Sequence, residues 1–291
     1  MNPTPPSLTA GLRAFALDIK LSHSVFAMPF ALASAWLVAR DQPVAWTQWA
    51  WIVAAMVGAR SSAMGFNRIV DRKIDALNPR TKNREIVAGR LGVPLAWALT
   101  LGSAGLLVLA SAMLHPLCLY LSPIALLVVW GYSLTKRFTA LCHLVLGLGL
   151  GLAPVAAWIA LTGSIAAPPL LLAGAVLTWV SGFDILYSLQ DRDFDGGHGL
   201  HSIPVALGER GALWASGLLH VATVALLAAL PFTIPLGWAY WGGWAVITGV
   251  LAWEHSLVKP GDISKIDQAF FAANGWISLL FFASVVLATW V

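Results

Sequence analysis

The chain has 291 residues, 59% of them hydrophobic and only 10% charged, and its mean hydropathy is +0.79. Soluble globular domains carry about 25% charged residues, so that class is excluded and a polytopic membrane protein is indicated. The net charge of +4 sits in short basic loops interleaved with acids between apolar runs, which leaves the lipid bilayer, and no nucleic acid, as the expected surroundings.

The opening MNPTPPSLTAGLRAFALDIK lacks a basic segment followed by an apolar core and a cleavage site, so a short cytoplasmic lead-in is expected. Runs long enough to cross a bilayer, about 20 residues each, follow at 15–40, 44–66, 93–114, 117–133, 139–161, 166–190, 211–230, 233–254 and 268–290. The sequence therefore predicts an all-α protein with nine transmembrane helices in a single domain over 1–291. Basic residues gather in alternate connections: Arg68, Arg72, Lys73, Arg80, Lys82, Arg84 and Arg90, then Lys136 and Arg137, then Arg192 and Arg210, then Lys259 and Lys265. The opposite connections carry almost none, which predicts a cytoplasmic amino terminus, an outer carboxyl terminus and a multi-pass protein of a bacterial-type inner membrane. The 15 Trp suit membrane interfaces and helix packing alike. Cys118 and Cys142 read as small buried hydrophobes without a disulfide framework.

Two acidic patterns stand out in a chain with only 13 acidic residues: Asn67-x3-Asp71-x3-Asp75 and Asp191-x3-Asp195. Spacing of four places their side chains on one helix face. Arg60, Met64, Asn67, Asp71 and Asp75 extend the first into a stripe, and Asp184, Tyr187, Asp191 and Asp195 form the second, with Gln190 beside it. Such stripes cannot face lipid. Facing one another, they make an oxygen-rich site for a hard divalent cation, Mg²⁺ above all, which is held by a few carboxylates together with substrate phosphates. His198 and His201 lack the further ligands that zinc needs. Arg80, Lys82, Arg84 and the Lys136 of Tyr132-x3-Lys136 suit a departing diphosphate; equally, these cations can be topology markers that pair with the Asp residues as salt bridges. Gly147, Gly149 and Gly151 offer either a close helix contact or a slot for an isoprenoid chain. Lys20 and His23, three apart, and the deeper Arg60 are candidates to bind an acceptor carboxylate.

In order and spacing, Asn67-x3-Asp71-x3-Asp75, Arg80-Thr81-x2-Arg84, Tyr132-x3-Lys136 and Asp191-x3-Asp195 resemble the motifs of the UbiA superfamily of intramembrane prenyltransferases. The likeness covers nearly the whole chain. It implies a ring of helices around a central cavity open sideways to the bilayer. It further implies that Asn67, Asp71, Asp75, Asp191 and Asp195 hold two Mg²⁺ bridged by a polyprenyl diphosphate, that Arg80, Arg84 and Lys136 contact that diphosphate, and that Tyr132 lines the reaction centre. In the expected mechanism Asp71 and Asp191 are catalytic, an Asp of either motif taking the acceptor's phenolic proton. Asp184 and Tyr187, with Arg60, Lys20 and His23, are the candidate acceptor-binding residues.

The chain departs from quinone-pathway members in reading Arg84-Glu85 where Arg-Pro is usual, and His201-Ser202 where Lys-Ser is common. It is similar instead to a bacterial subgroup described as 4-hydroxybenzoate polyprenyltransferase-like. The expected activity is transfer of a polyprenyl group to an aromatic acid of the 4-hydroxybenzoate type in quinone biosynthesis. The alternatives are a dihydroxynaphthoate acceptor, as in menaquinone biosynthesis, another diphosphate-using transferase, and, from a different class, a cation-coupled transporter.

Overall fold

The computed structural model describes residues 8–19, 27–269 and 273–290, and among them the protein is all-helical, without a β-strand. Where the sequence predicts one span over 15–40, there are two helices, α1 (Leu8–Asp18) and α2 (Met28–Ala39). Pro29 sits in the first turn of α2, where its missing N–H has no intrahelical partner to lose. Helix α1 is a separate piece: with Ile19 beyond its end, its Ala14 and Phe15 pack against Ile69, Leu91 and Ala96. There follow α3 (Trp46–Leu77), α4 (Val93–Leu114), α5 (Pro116–Thr135), α6 (Cys142–Thr162) and α7 (Ala167–Ser188). A 3₁₀ turn (Leu189–Asp191) leads into α8 (Arg192–Gly197), and then come α9 (Ile203–Ala229), α10 (Ala239–Leu257), the one-turn α11 (Ile266–Gln268) and α12 (Asn274–Ala288).

Five segments among the described residues are long and apolar enough to cross a membrane: α4, α5, α6, α7 continued through α8, and α9. Helices α2 and α12 are apolar but shorter. Helices α3 and α10 have the length, but their windows are diluted by polar residues: the Arg60–Asp75 stripe in the first, Glu254 and His255 in the second. Length and composition thus support five crossings among the described residues and do not confirm the expected nine: two helices are short, and two carry polar groups along their length.

Successive helices pack as neighbours, from α3 through α4, α5, α6, α7, α9 and α10 to α12, and α12 returns to α2, which also lies on α6 and α7. Lipid tails are as apolar as the side chains, so close approach and interhelical hydrogen bonds, more than burial, hold such a bundle. A Cβ on Gly147 would lie 2.4 Å from the carbonyl oxygen of Leu177, and one on Gly151 2.7 Å from that of Ala173, so these two glycines are where α6 and α7 touch. Gly149 points to α5, with Val129 Cγ1 at an ordinary 3.7 Å from the same construction. Gly147→Val is therefore expected to cost about 1–3 kcal/mol of stability, whereas Gly149→Ala is near neutral; denaturation in detergent measures both.

The other half of the bundle is built on aromatic rings. Phe30 stacks on Phe281 at 4.5 Å and tilts over Trp179 at 5.3 Å. Polar groups inside it find partners: Trp179 Nε1 donates to Asn274 Oδ1 (2.7 Å), Asn274 Nδ2 to Glu254 Oε1 (2.9 Å), and Tyr240 Oη to the Leu227 carbonyl (2.7 Å). Trp46, Trp238 and Trp290 are exposed at the ends of α3, α10 and α12. Hydrogen bonds from Arg40 to the Pro235 carbonyl and from Gly237 N to the Ala288 carbonyl bring those ends to one side of the molecule, in the manner of an interfacial aromatic belt.

Candidate active site

Helix α3 has 32 residues, about 48 Å at 1.5 Å each, against a hydrocarbon layer of about 30 Å. Its last turns therefore extend beyond an apolar layer, and they carry Asn67, Asp71 and Asp75. The second motif is not on one continuous α-helix as its spacing predicts: Asp191 falls in the 3₁₀ turn and Asp195 on α8. The two motifs nevertheless line one cavity of about 330 Å³. Its wall includes Arg60, Asn67, Asp71, Asp75, Arg80, Arg84, Tyr132, Lys136, Asp184, Tyr187, Asp191 and Asp195, while the candidates Lys20 and His23 lie outside the described residues. Lys82 is exposed and away from it.

The loop after α3 joins the two motifs. Asn78 Oδ1 accepts from the backbone N–H of Arg80 (2.9 Å), a local turn typical of Asn, and Thr81 Oγ1 donates to the Asp75 carbonyl (3.0 Å). So held, Arg80 reaches across the cavity and forks onto Asp191, with Nε donating to Oδ1 at 3.0 Å and Nη2 donating to Oδ2. Asn78 Nδ2 donates to the same Oδ1 at 3.0 Å. The Arg80 guanidinium also lies 5.2 Å over the Tyr187 ring, a cation–π distance. Burial opposes charge on Arg80, but its hydrogen bond to Asp191 and the field of that carboxylate hold its pKa above the ordinary arginine value.

Each of the other motif carboxylates also has a cation. Arg84 Nη1 meets Asp75 Oδ2 at 2.5 Å, Lys136 Nζ meets Asp195 Oδ2 at 2.7 Å, and Arg137 Nη2 meets Asp71 Oδ1 at 2.9 Å. Asn67 Nδ2 donates to the other Asp71 oxygen at 2.9 Å. Asp71 lies beyond the apolar stretch of α3; burial raises its pKa above the usual carboxylate range, against the hydrogen bond from Arg137. The ion pairs foreseen from the sequence as the competing arrangement are thus present, and they lie inside the cavity.

The donor set is oxygen throughout, which suits a hard divalent cation. Among the described residues no three Asp, Glu, His or Cys side chains cluster tightly enough to hold an ion unaided. An ion here would need further ligands, of the kind that substrate phosphates supply. Deeper in the cavity Arg60 has its Nε buried without a hydrogen-bond partner, and Tyr132 Oη donates to Met64 Sδ at 3.8 Å. Sequence reasoning passed over Arg137, which looks like a topology marker, and Asn78, which looks like a helix stop. It also passed over His143, although a lone imidazole in an apolar run carries the same signal as an intramembrane acid.

Residues 27–290 match the sequence profile of the UbiA prenyltransferase family. A 4-hydroxybenzoate octaprenyltransferase of Klebsiella pneumoniae is 29% identical over 258 residues, covering 84% of this chain and 89% of that protein. A solved structure of a UbiA homolog from Aeropyrum pernix K1 is 34% identical and superimposes with a TM-score of 0.83 over 92% of this chain and 98% of the other. A UbiA homolog from Archaeoglobus fulgidus, solved bound to DMAPP and Mg²⁺, shares the fold at 18% identity, with a TM-score of 0.74 over 95% of this chain and 99% of that one.

Proposed function

This chain belongs to the UbiA prenyltransferase family, and we propose that it transfers a polyprenyl group from polyprenyl diphosphate to an aromatic acid of the 4-hydroxybenzoate type, using Mg²⁺, in quinone biosynthesis. One observation carries the reading: cations and carboxylates from two motifs meet across a single cavity whose inner wall, at Leu146, Leu150, Val180 and Phe183, is apolar. Relatives named as 4-hydroxybenzoate octaprenyltransferases support the acceptor, and the Archaeoglobus structure supports the metal and the donor class.

In this reading Asn67, Asp71, Asp75, Asp191 and Asp195 hold the metal, which supplies Lewis-acid stabilisation of the leaving diphosphate. Arg80, Arg84 and Lys136 exchange their carboxylate partners for phosphate oxygens, as preorganised donors for the charge that develops there. The allylic C–O bond breaks with its electron pair leaving on the diphosphate. A ring carbon ortho to the acceptor phenol then forms the new C–C bond, beside Tyr132, while the apolar wall excludes water. Arg60, the buried cation without a partner at its Nε, takes the acceptor carboxylate. The positive-inside rule, applied to the basic loops, supports a cytoplasmic face for this site in a multi-pass membrane protein. A dihydroxynaphthoate is the second acceptor to consider, since it presents the same carboxylate and phenol. The transporter alternative falls with the family assignment.

The test is an assay of purified protein with radiolabelled polyprenyl diphosphate and a panel of phenolic acids. Prenylated 4-hydroxybenzoate is expected with Mg²⁺, none in EDTA, and recovery when Mg²⁺ is returned. Transfer that persists in EDTA, or a panel without any prenylated product, rejects the reading.

A further inference from the structure

We propose that Asp184, clamped by His143, accepts the phenolic proton of the aromatic acceptor; this rests on the transfer reading above and adds the base to it. Of the five cavity-lining aspartates, four are engaged by Arg or Lys, and Asp184 has neither among the described residues. It is also the most open of them. Its side chain is 28% exposed, against 22% for Asp71, 9% for Asp75 and Asp191, and 1% for Asp195. Asp184 lies seven residues before Asp191, and Arg60 seven before Asn67, each about 10 Å deeper along its own segment. The cavity therefore keeps, below its paired motifs, one acid with no Arg or Lys partner and one cation whose Nε is unpartnered. An aromatic acid with a phenol offers the complement: an anion for Arg60 and an acidic O–H for Asp184.

His143 fixes the orientation of that carboxylate. The backbone N–H of Ile203 donates to His143 Nε2 at 3.3 Å, so Nε2 presents a lone pair. A doubly protonated ring would set two donors against each other there. The proton is therefore on Nδ1, which donates to Asp184 Oδ2 at 2.7 Å. Asp184 accepts that bond at Oδ2, and its Oδ1 has no partner among the described residues. The His143 ring is only 3% exposed, so it acts through Asp184 as a positioning residue and does not touch substrate. As the ring carbon attacks, the phenolic proton passes to Asp184 Oδ1 and a dienone forms. The ring-carbon proton then leaves with the diphosphate, and Asp184 returns its proton to the oxygen, restoring the phenol.

Asp184→Asn is isosteric and is expected to slow transfer to 4-hydroxybenzoate by roughly 10²- to 10³-fold, with the KM for polyprenyl diphosphate unchanged. Fluorinated hydroxybenzoates whose phenols are already ionised at the assay pH need no base, and with them the variant should come within about tenfold of the parent enzyme. His143→Leu is expected to show the same acceptor-dependent recovery, and His143→Gln, which keeps an N–H for Asp184, a smaller defect. An equal loss with ionised and un-ionised phenols, or no loss at all, overturns the proposal. Should Asp184→Asn fail to fold, a parent enzyme indifferent to phenol acidity together with a fully active His143→Leu overturns it as well. A parent enzyme that prenylates no phenolic acid rejects the transfer reading itself, which is a separate result.

Discussion

Asp191→Asn is expected to lower prenyl transfer by roughly 10³-fold or more, with the protein still folded in membranes. The carboxylate is 9% exposed and joins both halves of the cavity, accepting from Asn78 and from the Arg80 fork of the loop after α3. Asn preserves its shape and removes its charge. Breaking a fully buried ion pair by removing one partner costs about 3–5 kcal/mol, but Arg80 is 34% exposed and keeps its contact with Tyr187, so the bundle tolerates the loss. What disappears is an anionic oxygen for the proposed metal and the anchor that aims Arg80. Transfer activity and elution as a single species in detergent check the two halves of this prediction. A folded variant with parental activity removes the basis of the two-motif site.

Arg60→Gln is expected to raise the KM for a carboxylated acceptor by about 10- to 100-fold, the equivalent of one charged hydrogen bond of about 1.5–3 kcal/mol, and to leave the KM for the donor alone. A buried cation whose Nε is unpartnered is a cost to the folded protein, so neutralising it does not destabilise the bundle. The methyl ester of the acceptor provides the control: it should distinguish parent and variant poorly, because it offers no anion to either. An unchanged acceptor KM in Arg60→Gln would remove Arg60 from the acceptor site.

The fold was largely legible because bilayer-length apolar runs are long and coherent, and each run from the second onward overlaps a helix, though α3 and α9 extend well beyond theirs. Helix α1 escaped because its apolar residues merge with those of α2 into one hydropathic run; only its packing on Ile69 and Ala96 separates them. The motif acids were legible from their spacing even though a 3₁₀ turn interrupts the second. The spacing could not reveal partners. That Arg137 faces Asp71, or that Arg80 crosses to Asp191, depends on contacts between residues 66 and 111 positions apart, which periodicity within a helix does not encode. His143 is a similar case. Its meaning comes from Asp184, 41 residues away on the neighbouring helix.

The return of α12 to α2 bears on how the protein is made. Most interfaces join helices that emerge from the ribosome one after another, so hairpins can dock as they enter the bilayer. Helix α2 is the exception at its α12 face: the Phe30 ring waits for Phe281, and the Trp36 indole for Thr289, 253 residues later. Until α12 emerges, that side of α2 stays unfilled. Insertion and closure are therefore separate events, and a stalled or shortened nascent chain would leave a bundle that is inserted but unsealed.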